Sequence, residues 1–362
     1  MNIYSRRVLA AVASTALLGS GLAACSSDSE SSDDDIKVVA STTQICDYVK
    51  QLDLAQVDLT CLLAPNATAH QLEMTHEQLV KTSEADLVMV NGVDLEHFLD
   101  SAFDSSGFSG TMLVTTGVLT ASDVDEAPTD KKSELEKSES GRYDIDRGIA
   151  QVDVAPWPFA PDPGEVADFT YDPHVWTSPK NAQIQVENIG YALEKEADER
   201  GNTELKDEIH QKVEDYTAKL KQLDQWTRES ISTVHNPVLF TSHDAFGYFS
   251  KEYGVDFIGA ALSDFSDQQD ATASHINEAA ETVRESGATV LFAENSNNSK
   301  SIEAVAKAAG VKAVVGDDAL YGDSLGPAGT EGETYIGSIK HNVNTVVNAW
   351  DGQVAELPEQ LR

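Results

Sequence analysis

From Ile36 onward the chain alternates short apolar runs with longer stretches in which apolar residues recur every three or four positions. The runs are bounded by turn residues, and this reads as buried strands at 36–40, 57–63, 86–90 and 111–115 in the first half. The second half repeats the rhythm with runs at 238–241, 255–260, 289–293 and 312–315. Amphipathic segments such as 275–286 and 301–309 lie between them, the latter ending at Gly310, where a glycine cap belongs. No internal repeat is evident.

Between the halves Leu205, Ile209, Val213, Tyr216, Leu220, Leu223 and Trp226 recur at steps of three and four, with charges elsewhere. One amphipathic helix over 205–234 follows, roughly 45 Å long. It acts as a rigid spine between a lobe at 36–204 and a lobe at 235–362; two helices broken near Lys219 are the alternative. The strand and helix order then predicts an α/β fold of two Rossmann-like lobes with parallel sheets, with a site in the cleft between them. Residues 121–171 fit neither period. They are acidic, rich in proline and predict an irregular, partly mobile insertion whose Trp157-Pro158-Phe159 is a candidate cover for a surface or cleft.

The first 35 residues carry different information. Arg6 and Arg7 precede an apolar run at 8–18 and small residues at 19–24, which is a secretory signal too short to span a bilayer. Leu22-Ala23-Ala24-Cys25 resembles the bacterial lipobox, so cleavage after residue 24 leaves Cys25 for lipid attachment; an ordinary signal with a chance cysteine is the alternative. Residues 26–35 have nothing apolar to bury and form a solvated tether reaching roughly 35 Å at most. The expected location is the outer face of a cell membrane.

Export leaves Cys46 and Cys61 as a pair in an oxidising compartment, either a disulfide closing a small loop between the first helix and second strand or two buried thiols. Losing Arg6 and Arg7 takes the formal charge from −36 to about −38, which excludes nucleic acid as a partner.

Parallel α/β lobes place ligands on loops beyond the carboxyl ends of their strands, so the nine histidines sort by position. His70 follows the run at 57–63 through Ala64-Pro65-Asn66-Ala67-Thr68. His243 stands two residues after the run at 238–241. His174 lies in Tyr171-Asp172-Pro173-His174-Val175-Trp176, just before a helix. Asp323 sits in the glycine-bounded Tyr321-Gly322-Asp323-Ser324-Leu325-Gly326. His76, His97, His210, His275 and His341 fall in or beside helices, and His235 precedes a strand.

At these motifs the chain resembles the zinc- and manganese-binding lipoproteins of bacterial ABC importers. Leu63-Ala64-Pro65 leading to His70, followed by Ala85-Asp86-Leu87-Val88-Met89-Val90-Asn91-Gly92, is similar to the family's first-ligand loop and next strand. Asp172-Pro173-His174-Val175-Trp176 resembles its second ligand motif, and Ser242-His243-Asp244-Ala245-Phe246-Gly247-Tyr248-Phe249 its third. The loop at Asp323, with Thr334-Tyr335-Ile336-Gly337 and His341-Asn342 beyond, resembles its fourth. The resemblance implies metal ligation by His70, His174, His243 and Asp323. It also implies a supporting or structural role for Glu294 in Phe292-Ala293-Glu294 and a loop-orienting or capping role for Asp172.

Two departures stand out. Thr68-Ala69-His70 replaces the frequent Asp-Pro-His, and residues 121–171 lack the histidines that many zinc-binding members carry there.

Three imidazoles and a carboxylate suit tetrahedral zinc, whereas a bidentate Asp323 would raise the coordination number and admit manganese. The metal is expected as transported ligand, with an ABC permease and its ATPase as partners and a monomer as the default. Four protein donors leave no position for an activated water, and no hydrolase motif occurs, so the expectation is capture rather than catalysis. A metal-dependent hydrolase and a surface adhesin lipoprotein are the alternatives from other classes. Ligation needs neutral imidazoles, so acid is expected to loosen the site.

Overall fold

Aliphatic runs bounded by turns become strands wherever both faces of a sheet can be covered. The computed structural model describes residues 34–68, 70, 72–125, 135–157, 169–260 and 273–362; the signal, Cys25 and the tether to residue 33 lie outside them. In the first lobe β1 (Ile36–Ala40), α1 (Thr43–Gln51), β2 (Val57–Cys61), α2 (His76–Ser83), β3 (Leu87–Val90), α3 (His97–Ser106) and β4 (Thr111–Val114) follow one another. They are succeeded by α4 (Ala121–Asp125), β5 (Glu136–Lys137) and β6 (Asp144–Asp146). The sheet runs β2-β1-β3-β4-β6-β5, parallel throughout except for β5 against β6. β3 is buried along its whole length, as a central parallel strand requires.

Two long antiparallel helices come next, α5 (Pro179–Glu199) and α6 (Thr203–Ile231). Pro179 opens α5, and the Asn202 side chain caps α6 by accepting from Leu205 N–H at 3.0 Å. α6 continues unbroken past Lys219, so the two-helix alternative does not hold. Leu205, Ile209, Tyr216, Leu220, Leu223 and Trp226 are all buried along it.

The second lobe contains β7 (Val238–Thr241), α7 (Gly247–Tyr253), β8 (Asp256–Ala260), α8 (Ala273–Ser286), β9 (Val290–Phe292), α9 (Lys300–Ala309), β10 (Lys312–Val314) and α10 (Tyr335–Ala349). Its sheet is parallel, in the order β10-β9-β7-β8. Register places Thr241 beside Phe292, so the loops after β7 and β9 leave the sheet side by side.

One apolar core runs through both lobes. It joins Ile36, Val38 and Leu87 of the first sheet, the buried faces of α5 and α6, and Leu239, Phe292 and Val343 of the second lobe. Smaller clusters cover the outer face of each sheet. The spine is therefore stiff because its apolar face is packed into a core shared by both lobes.

The irregular insertion expected over 121–171 needs correction. Within it, β5 and β6 extend the first sheet, with Thr111 paired to Asp144 and Leu113 to Asp146. These edge strands read Glu-Lys and Asp-Ile-Asp, too short and polar to leave an apolar run in the sequence. Pro158 and Phe159 lie outside the described residues, as do 126–134 and the rest of 158–168. Cys46 of α1 and Cys61 of β2 form a disulfide across 15 residues. No helix among the described residues is long and apolar enough to cross a membrane.

Candidate metal centre

The loops at the carboxyl ends of the two sheets face each other, and four chemically suited side chains meet there. The turn after β2, with Asn66 at φ 61°, carries the chain to His70. Asn66 N–H donates to Leu325 O at 3.0 Å, which pins this turn to the opposite lobe. His174 lies just before a single 3-10 turn, Val175–Thr177, that leads into α5. His243 follows β7, and Asp323 lies between Tyr321 and α10.

One donor atom each from His70, His174, His243 and Asp323 falls within 4.8 Å of all the others. His70 Nε2 and His174 Nε2 are 3.0 Å apart. Asp323 Oδ1 is 3.6 Å from His70 Nε2, 3.4 Å from His174 Nε2 and 3.6 Å from His243 Nδ1. Donors at the corners of a tetrahedron with metal bonds near 2.1 Å stand roughly 3.4 Å apart, so the spacing suits a small dication.

Three of the four are held by neighbouring groups. Asp172 Oδ1 accepts from His174 N–H at 2.9 Å and lies 2.8 Å from its Nδ1, so one oxygen caps the loop and directs Nε2 into the cluster. Glu294 Oε1 accepts from His243 N–H at 3.0 Å, Oε2 lies 3.6 Å from His243 Nδ1, and Ser242 Oγ accepts from Glu294 N–H at 2.9 Å. Thr68 Oγ1 donates to Asp323 Oδ2 at 2.9 Å, and Gln44 Nε2 donates to Asp323 O at 3.1 Å.

Two glycines make room for the supporting carboxylates. A Cβ on Gly322 would stand 2.0 Å from Glu294 Oε2, and one on Gly247 would stand 2.3 Å from Asp172 Oδ2. Neither position tolerates a side chain unless the carboxylate moves.

Burial sets the electrostatics, and charge partners decide the direction for each imidazole. Burial lowers His70 to about 4 against the opposing pull of Asp323, so it is neutral at physiological pH. Burial also disfavours charge on His243, but Asp323 and Glu294 outweigh it and raise the group to about 10. His174 is raised as well, because hydrogen bonds to Asp172 and Asp323 overcome its burial. Asp323 is pushed well below the usual carboxylate range: burial opposes its charge, but His243 and His70 prevail. The ion pair of His243 with Asp323 lies behind both shifts, seen from its two ends. Burial raises Glu294 and takes Asp244 to about 7.

Sequence reasoning missed several contributors. Thr68, Gln44, Ser242 and Trp176, whose Nε1–H donates to Gly322 O at 2.9 Å, were given no role, although Ser242 and Trp176 stand inside the quoted ligand motifs. Thr68 left a signal of its own, standing where the resembled family often has Asp, whereas Gln44 left none. Phe169 was also missed; its ring meets His70 edge-on at 5.7 Å, and Trp157 lies 6.0 Å from the His174 ring. Of the histidines set aside, His341 is buried against Ala319 O and Glu331, while His210 pairs with Glu194 on the surface.

The family described as ZnuA, zinc-uptake complex component A, periplasmic, matches residues 38–349. The manganese-binding lipoprotein MntA of Bacillus subtilis is 28% identical over 335 residues, covering 91% of this chain and 94% of MntA. The zinc-binding protein TroA of Treponema pallidum is 28% identical over 348 residues, covering 95% and 98%. A solved structure of TroA superposes with a TM-score of 0.64 at 25% identity, over 87% of this chain and 99% of that one.

Proposed function

The chain belongs to the ZnuA family of zinc-uptake components, and we propose that it captures a divalent transition metal, zinc before manganese, on His70, His174, His243 and Asp323 for delivery to an ABC importer. The observation that carries the reading is the convergence of three imidazoles and one carboxylate from both lobes within 4.8 Å. Such a donor set closes a tetrahedron and keeps no position for an activated water, which favours capture over hydrolysis.

The hydrogen bond from Thr68 to Asp323 Oδ2 supports zinc. Manganese prefers more oxygen donors, and a bidentate Asp323 would have to bring onto the ion an Oδ2 whose position the Thr68 hydrogen bond already fixes. Asp172 and Glu294 act behind the ligands, orienting His174 and the His243 loop. An ABC permease and its ATPase are the partners, the protein acts as a monomer, and lipid on Cys25 holds it to the outer face of the membrane. The relative MntA, named a lipoprotein, supports that anchor.

The test is calorimetric titration of the chelator-stripped protein with zinc and with manganese, beside His243→Ala. One tight equivalent of zinc that the variant loses supports the reading. Absence of stoichiometric binding of either metal refutes it.

A further inference from the structure

Asp323 is placed by its backbone as well as by the bond to its carboxylate. The segment that carries it, from Gly322 to Leu325, is buried and is hydrogen-bonded by groups distant in sequence. Trp176 Nε1–H donates to Gly322 O at 2.9 Å, Asn295 Nδ2 donates to Ser324 O at 3.0 Å, and Asn66 N–H donates to Leu325 O at 3.0 Å. These bonds engage the peptides on either side of the one that joins Asp323 to Ser324.

The carbonyl of that central peptide is held from the opposite lobe, by the first turn of α1. Gln44 Nε2 donates to Asp323 O at 3.1 Å, and Thr43 Oγ1 accepts from Leu325 N–H at 2.9 Å. Thr43 Oγ1 in turn donates to Gln44 Oε1 at 3.1 Å, which fixes the end of the amide that faces Asp323. Hydroxyl and amide thus form one two-pronged clamp on a carbonyl and an N–H of the loop. Both side chains are buried. The helix beneath them is anchored as well, with Thr42 Oγ1 accepting from Ile45 N–H at 3.2 Å as its cap and Cys46 bonded to Cys61. One turn further on, Asp47 Oδ2 accepts from Tyr335 N–H at 2.7 Å, so α1 holds the chain again where α10 begins.

We infer that Thr43 and Gln44 are positioning residues that hold Asp323 at its distance from the three imidazoles, and so set metal affinity and coordination geometry without touching the ion. The inference rests on the metal-capture reading of the same site. A buried carbonyl that loses its donor is costly to leave unpaired, so without Gln44 the peptide turns toward another partner and carries the Asp323 side chain with it. Donors have to stand within about 0.5 Å of their productive positions, and an ion must then restore a placement that the clamp otherwise supplies in advance.

The experiment measures zinc Kd by competition titration and the visible absorption of the cobalt(II)-loaded protein, whose bands report coordination geometry. It compares the unaltered protein with Gln44→Leu, Thr43→Val and Thr43→Ser, each checked for a cooperative thermal transition. The expected result is zinc binding about tenfold weaker in Gln44→Leu and in Thr43→Val, with the cobalt bands displaced in both. Thr43→Ser keeps the hydroxyl and should recover most of the affinity and of the spectrum. Thr43→Val carries the same test if Gln44→Leu does not fold. Affinity within twofold and unmoved bands in the folded variants overturn the clamp. So does weaker zinc binding with unmoved bands, which reports a loosened fold and not a displaced Asp323. If the unaltered protein binds neither zinc nor cobalt, the capture reading fails and the clamp with it; tight zinc binding that the variants share removes the clamp alone.

Discussion

Thr68 Oγ1 donates to Asp323 Oδ2 across the cleft at 2.9 Å, leaving Oδ1 as the oxygen that faces all three imidazoles. A side chain of one lobe thereby sets how the carboxylate of the other presents itself to an ion. Replacing Thr68 by Val keeps the shape and frees Oδ2. The expected outcome is a several-fold loss of zinc affinity and a smaller loss, or a gain, for manganese, read as the ratio of the two dissociation constants in competition titrations. An unmoved ratio would show that this bond does not select the metal.

Asp172 directs His174 through a 2.8 Å contact with Nδ1. Asp172→Asn keeps a loop-capping oxygen but offers no charge to the imidazole. Zinc affinity should fall by about 10- to 100-fold, as for other carboxylates behind metal-bound histidines. Far-UV circular dichroism should stay the same, because no ligand is removed.

His243, raised to about 10, holds a proton at pH 7 that a metal must displace. Zinc binding at pH 7 should release at least one proton, measurable as a dependence of the calorimetric enthalpy on the ionisation enthalpy of the buffer. The protonated His243 is a group whose folded value lies above its unfolded one. Its contribution to the metal-free protein is therefore complete below about pH 6.5 and fades as pH climbs toward 10. Thermal unfolding at pH 7 and pH 9, with and without zinc, should show the stabilisation by zinc widening with pH. His70, lowered to about 4, works in the opposite sense: its contribution is complete above about pH 6.5 and is lost as pH falls through 4.

The disulfide of Cys46 and Cys61 closes a loop of 15 residues at the edge of the first sheet. Cys46→Ala with Cys61→Ala should lower stability by about 3 kcal/mol in chemical denaturation. Zinc affinity should be nearly unaltered, since neither sulfur lies among the donors. A large affinity loss would mean that the bond positions the His70 turn rather than constraining the unfolded chain.

Much of the fold was legible in residue order because its signals are local. The run at 238–241 becomes β7 over the same residues, the run at 312–315 becomes β10 one residue shorter, and the apolar stripe of Leu205 to Trp226 becomes the buried face of α6. β5 and β6 were invisible because a short polar edge strand is made by its neighbour, Thr111 to Leu113 of β4, rather than by its own pattern.

At the site, the sequence by itself determined the chemical types and their places at loop ends: His70, His174, His243 and Asp323. Only the tertiary structure decided that donor atoms from residues as far apart as His70 and Asp323 lie within 4.8 Å, that Thr68 occupies one Asp323 oxygen, and that Trp157 and Phe169 lie against the imidazoles. The physical reason is range. Hydrophobic period and turn chemistry act within a few residues and are written along the chain, whereas a contact between positions 255 residues apart exists only after two packed lobes have brought their loops together.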